Sequence, residues 1–86
     1  MKPYRIFVRM EAAEILRAIR GNQRTSVVAF IDSLSGAPNN PGDYSEHDET
    51  GRQLEIKVIG SFAISYWADH AVSEIKVVDV RRADHA

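Results

Sequence analysis

The sequence has no cysteine, which excludes disulfides and thiolate metal ligation. It has no long hydrophobic run either. The longest uncharged stretch, Val58 to Ala68, is far short of the roughly 20 residues that span a bilayer. Lys2, Arg5 and Arg9 interrupt the apolar residues of the first segment, so no signal-peptide core is expected and a cytoplasmic location is. No sign of charge dominates: 11 Lys and Arg stand against 12 Asp and Glu, net −1. Phosphate affinity scales with the number of cations presented together, so a generic nucleic-acid binder is excluded. There is no internal repeat, coiled coil or low-complexity tract.

What is present reads as one small soluble domain spanning residues 1–86, with 44% hydrophobic and 27% charged residues rather than the composition of a disordered chain. A chain of this size buries only about 60–65% of its unfolded surface, so a thin core is expected. Its charge forms a gradient: +4 over residues 1–30, −5 over 31–55 and zero over 56–86. Any nucleic-acid role needs a local patch.

Tyr4, Ile6 and Val8 alternate with Arg5, Phe7 and Arg9, the period of a strand. Ala12, Ile15, Leu16 and Ile19 follow the spacing of an amphipathic helix of about ten residues. Gly21-Asn22 breaks it, with Asn22 expected to cap a second helix over roughly 23–35. Val27, Phe30, Ile31 and Leu34 form that helix's apolar stripe, and Gly36 and Pro38 end it. Residues 36–52 read as a long polar loop, of the kind usually functional or mobile.

From Gln53 the pattern returns to strands. Leu54, Ile56 and Val58, then Phe62, Ile64 and Tyr66, form a hairpin turning near Gly60-Ser61. If register follows the most apolar face, a three-residue loop Ile59–Ser61 sets Val58 opposite Phe62. Glu55, Lys57, Ala63, Ser65 and Trp67 then share the open face. Glu74 to Val80 makes a last strand whose alternation fails, either because both faces are buried or because it carries a bulge. The expected fold is α+β, ordered β-α-α-β-β-β, with two helices on one face of a mostly antiparallel four-stranded sheet.

This order resembles the RelE/ParE superfamily of type II toxin–antitoxin toxins over nearly the whole chain. The block Gln-Leu-Glu-Ile-Lys-Val-Ile-Gly-Ser-Phe-Ala-Ile-Ser-Tyr-Trp, residues 53–67, is similar to the family's hairpin. Ile-Lys-Val-Val-Asp-Val-Arg-Arg, residues 75–82, looks like its last strand. The resemblance implies a cytoplasmic protein neutralised by a cognate antitoxin. It implies one of two activities: ribosome-dependent mRNA cleavage, or inhibition of DNA gyrase in ParE-like members. A toxin fold kept only as an inactive binding module is a further alternative.

Cleavage by a 2′-OH needs a base, cations for the developing phosphorane charge and an acid for the leaving oxygen. The resemblance places Arg81 and Arg82 on phosphate, Lys57 as assistant, and Glu55 or His85 as proton handlers; Arg52, Ser65 and Trp67 are the candidates for substrate contact. It implies no metal and no cofactor. Ala63 stands where the family carries a hairpin arginine, a departure that depletes the site. His47 among Glu46, Asp48 and Glu49 reads as a solvated acidic loop rather than a metal cluster. His70 reads as a turn residue, and Arg17, Arg20 and Arg24 as a solvated helix face. Trp67 is expected either to stack on a base or anchor a partner, or to pack beneath the acidic loop.

Overall fold

The structure, a computed structural model, describes residues 2–83. The elements run β1 (Arg5–Val8), α1 (Met10–Ala18), α2 (Gly21–Ser33), β2 (Tyr44–His47), β3 (Gln53–Ile59), β4 (Phe62–Asp69) and β5 (Glu74–Arg82). They form one five-stranded sheet of order β1-β5-β4-β3-β2. β1 pairs parallel to β5 and every other pairing is antiparallel. The class is the expected α+β, with one strand more than the expected four. Among the described residues no helix is long and apolar enough to cross a membrane.

Both helices pack on one face. Ala12 and Ile19 from the α1 end, and Val27, Ile31 and Leu34 from the α2 end, meet Phe62, Ile64 and Tyr66 of β4 and Ile75, Val77 and Val80 of β5. Glu11 and Arg17 sit at the helix ends of α1 that suit its dipole. Asn22 is not a cap: Arg20 holds that position, without a side-chain cap bond, and Asn22 lies in the first turn of α2. Gly21, at φ +66°, supplies the left-handed residue that lets the chain turn between the helices.

The hairpin register differs from the expectation. Val58 pairs with Ala63 and Ile59 with Phe62, leaving a two-residue loop of Gly60 and Ser61. Gly60 is at φ +58°, the conformation a two-residue hairpin asks of its first loop residue. The Ser61 amide donates to Gln23 Oε1, so α2 itself holds the turn. The one-residue shift inverts β3. Lys57, paired with Ile64, and Glu55, paired with Tyr66, face the helices. Leu54, Ile56 and Val58 face the other way.

The failed alternation of β5 is a bulge. Ser65 pairs with Asp79 but Tyr66 with Val77, leaving Val78 as the extra residue. The insertion turns Ile75, Val77 and Val80 all into the core, and sends Lys76, Asp79 and Arg81 to the open face. Residues 36–52 are not a continuous loop. They contain β2, an exposed edge strand on β3.

Candidate functional site

The sheet face without helices carries a cleft of about 630 Å³. Leu54 of β3, Ser65 of β4 and Val78 of β5 line it from the sheet, and Ser65 is buried. Its walls include Arg9 and Glu11 at the start of α1, Glu46 of β2, the turn Asp48–Arg52, and Trp67, Asp79 and Arg81. The strand residues reach the cleft through sheet geometry, because cross-strand partners share a face. Glu46 pairs with Leu54, Ser65 with Asp79, and Ala63 with Arg81.

Arg81 is the central cation. Its Nη2 donates to Glu46 Oε1 at 3.2 Å and to Oε2 at 3.5 Å, and its Nη1 lies 3.6 Å from Asp79. Desolvation favours loss of its proton, but Glu46 and Asp79 outweigh this and hold the guanidinium above its ordinary range. Arg52 stacks over Trp67, its Cζ 3.9 Å from the ring. Lys76 Nζ lies 5.8 Å from the Trp67 ring and 5.3 Å from that of Phe7. A row of alternating cations and aromatics therefore crosses the sheet, each contact worth about 0.5–1 kcal/mol where exposed.

The turn entering β3 is built on one carboxylate. Asp48 accepts from the amides of Thr50 at 2.8 Å and Arg52 at 3.0 Å, and from the Thr50 hydroxyl at 2.6 Å. The Thr50 hydroxyl is the largest of the effects that leave its pKa lowered. Asp48 is thus committed to the turn that aims Arg52 at Trp67. Among the described residues no group of three or more His, Asp or Glu is placed to hold a metal ion.

Arg81, Arg52, Ser65 and Trp67 are brought together in this cleft. Lys57 and Glu55 are not, because the register inverts β3. Lys57 pairs with Asp43 at 3.3 Å, and the Val58 amide donates to the same carboxylate at 2.8 Å. That amide bond, then Lys57, lower the Asp43 pKa. Glu55 accepts from the Gly42 amide at 2.9 Å and from Gln53 at 3.1 Å. Both residues therefore strap the segment leading into β2 onto β3. Tyr66 adds a bond from its hydroxyl to the Asn40 carbonyl at 3.0 Å. Burial, reinforced by Glu55 and Asp43, raises its pKa to about 12.

Arg82 also leaves the set. Adjacent strand residues point to opposite faces, and Arg82 lies on the helix side beside Ile15 and Phe62, its Cζ 5.5 Å from the Phe62 ring. His85 lies outside the described residues. His70 sits in the turn after β4, where its Nδ1 is 2.7 Å from the Tyr4 hydroxyl. Glu46 and Arg9 are site residues that the sequence pattern did not single out. Tyr-Ser-Glu-His has no apolar alternation to mark it as a strand.

The lining carries three arginines against five carboxylates, net −2 with His47 neutral. Arg81 is already paired with Glu46 and Asp79, and its cross-strand neighbour is Ala63.

No protein-family model and no curated protein matches the sequence. Solved structures match in fold. One is a chain of the archaeal RelE–RelB complex from Pyrococcus horikoshii OT3, with TM-score 0.75 and 16% identity, over 98% of this chain and 99% of that one. Another belongs to the toxin–antitoxin complex RelBE2 of Mycobacterium tuberculosis, with TM-score 0.73 and 20% identity, over 93% and 98%. The isolated E. coli RelE toxin matches with TM-score 0.68 and 12% identity, over 96% and 87%.

Proposed function

From a chain that has the RelE toxin fold, we propose the toxin component of a type II toxin–antitoxin module, cytoplasmic and held by a cognate antitoxin. The observation that carries this reading is the end-to-end fold similarity to RelE chains solved with RelB partners. The activity proposed with it is slow, ribosome-dependent mRNA cleavage on the open sheet face. It is supported by the convergence of Arg81, Arg52, Ser65 and Trp67 on one cleft.

In this reading Arg81 binds the scissile phosphate, and Arg52 with Trp67 holds a flanking nucleotide. The RNA 2′-oxygen attacks the adjacent phosphorus and the 5′-oxygen leaves, forming a cyclic phosphate. His85, in the segment after Arg82, is the proposed proton handler. The reaction requires no activated water. The missing cation at Ala63 makes it slow, since one donor to a developing oxyanion is typically worth about 10²–10³ in rate. Lys57 and Glu55 take no part, because each is engaged on the opposite face.

A specific observation favours a second reading, an inactive binding module: the net −2 lining of the cleft disfavours a polyanion. The deciding experiment is controlled expression without a partner, with growth followed and mRNA 5′ ends mapped, beside co-purification with the neighbouring gene's product. Growth arrest with cuts inside translated codons, lost in Arg81→Ala, is the result expected. Unchanged growth at verified soluble expression, with the partner still bound, selects the binding module. Inhibited DNA supercoiling without cuts selects a gyrase inhibitor. Failure to bind the neighbouring product removes the antitoxin reading.

A further inference from the structure

The anion-binding candidate of the open face already holds an anion of its own chain. One nitrogen of Arg81 reaches both oxygens of Glu46, at 3.2 and 3.5 Å. The two residues are 35 apart in sequence and meet only because β2 and β5 belong to one sheet. Both side chains are about half exposed (49% and 45%), and exposed ion pairs add little to stability. Structural support therefore does not explain why a carboxylate stands there.

We propose that Glu46 is an autoinhibitory latch, its carboxylate occupying the edge of Arg81 that an incoming phosphate must take. The latch is aimed rather than loose. Glu46 is held in register against Leu54. Its strand is anchored at one end by the Asp43 carboxylate on the Val58 amide at 2.8 Å. It is anchored at the other by the Asp48 turn. It is also releasable: β2 is a four-residue edge strand exposed throughout, and a single guanidinium nitrogen makes the contact instead of a two-nitrogen fork. Asp79, at 3.6 Å on the strand of Arg81 itself, is the second carboxylate and stays in place when β2 changes. The proposal deepens the RNA reading above and rests on it for the nature of the anion.

The test uses the full chain and a fluorescent 2′-O-methyl RNA octanucleotide, whose blocked 2′ positions prevent cleavage. Binding is read by anisotropy across a salt series. Glu46→Gln should tighten binding about tenfold, or about 1.4 kcal/mol. It should also steepen the salt dependence by about 0.7 in log–log slope, one further phosphate contact on a single strand. Glu49→Gln removes the same charge from the same cleft without a partner on Arg81, and should change affinity less than about twofold. The Glu46→Gln gain should vanish when Arg81→Ala is added.

Equal effects of Glu46→Gln and Glu49→Gln, a gain that survives Arg81→Ala, or no binding of either RNA or tripolyphosphate by any variant would each overturn the latch. Inorganic tripolyphosphate separates the latch from the reading beneath it. A Glu46→Gln gain on tripolyphosphate but not on RNA keeps the latch and removes the RNA assignment. RNA binding and cleavage that ignore Glu46→Gln keep the assignment and remove the latch.

Discussion

Replacing Tyr66 by Phe should reverse the sign of its effect on stability as pH rises. The ring is buried and packs edge-on against Phe30, with centroids 5.6 Å apart, and the substitution keeps that packing. Only the hydroxyl and its bond to the Asn40 carbonyl at 3.0 Å are lost. Such a bond contributes about 1 kcal/mol net, so Tyr66→Phe should lower Tm at neutral pH by about 4–8 °C in a domain of this size. The wild type loses that advantage in alkali. Its hydroxyl has a pKa of about 12 in the fold, against about 10 in the unfolded chain. The folded state therefore keeps the proton that the unfolded state releases. Stability is complete below pH ~10 and falls as pH rises toward ~12, by about 1.4 kcal/mol at pH 11. The phenylalanine variant has no such loss, so the two stability curves should cross between pH 10 and 11, at about pH 10.7. Urea unfolding followed by Trp67 fluorescence from pH 7 to 11 measures this. A difference between the proteins that stays constant across the range would refute the assignment of a buried, bonded hydroxyl.

Three other outcomes are expected. Ala63→Arg puts a second cation beside Arg81 on the open face and should raise codon-specific RNA cleavage about 10²-fold, read as mapped 5′ ends in translating extract. Gly42→Ala drives a Cβ into the Ile56 carbonyl; the backbone must move, and calorimetry should show a loss of about 1–3 kcal/mol. Asp43 has a lowered pKa, so its contribution is present above pH ~4 and lost as pH falls below it. Asp43→Asn should accordingly flatten the acid limb of the stability profile and increase exchange at the Val58 amide.

The parts of the fold that came through in the pattern are those whose signal is local. Ala12, Ile15, Leu16 and Ile19 stand at helical spacing, and Val27, Phe30, Ile31 and Leu34 do the same, so both helices were legible, although Ile15 is exposed. Alternation over 53–67 announced a hairpin, and the resemblance built on that block found the right fold. Of the candidate site, Arg81, Arg52, Ser65 and Trp67 were identified and do meet in one cleft. Glu46 was not, because β2 contains no apolar residue facing a core and exists through its bonds to β3.

The sequence by itself determined the order of every element but β2, the absence of cysteine chemistry and the apolar stripes that the helices bury. Tertiary structure decided which face each strand presents. Alternation is symmetric between faces, and a one-residue slip exchanges them. The Ser61 amide on Gln23 and the entry of Ile59 into the core selected the two-residue loop, sending Lys57 and Glu55 to the helix side. The bulge at Val78 then set Arg81 outward and Arg82 toward the helices. Both choices depend on contacts between residues far apart in the chain, where no local period reaches.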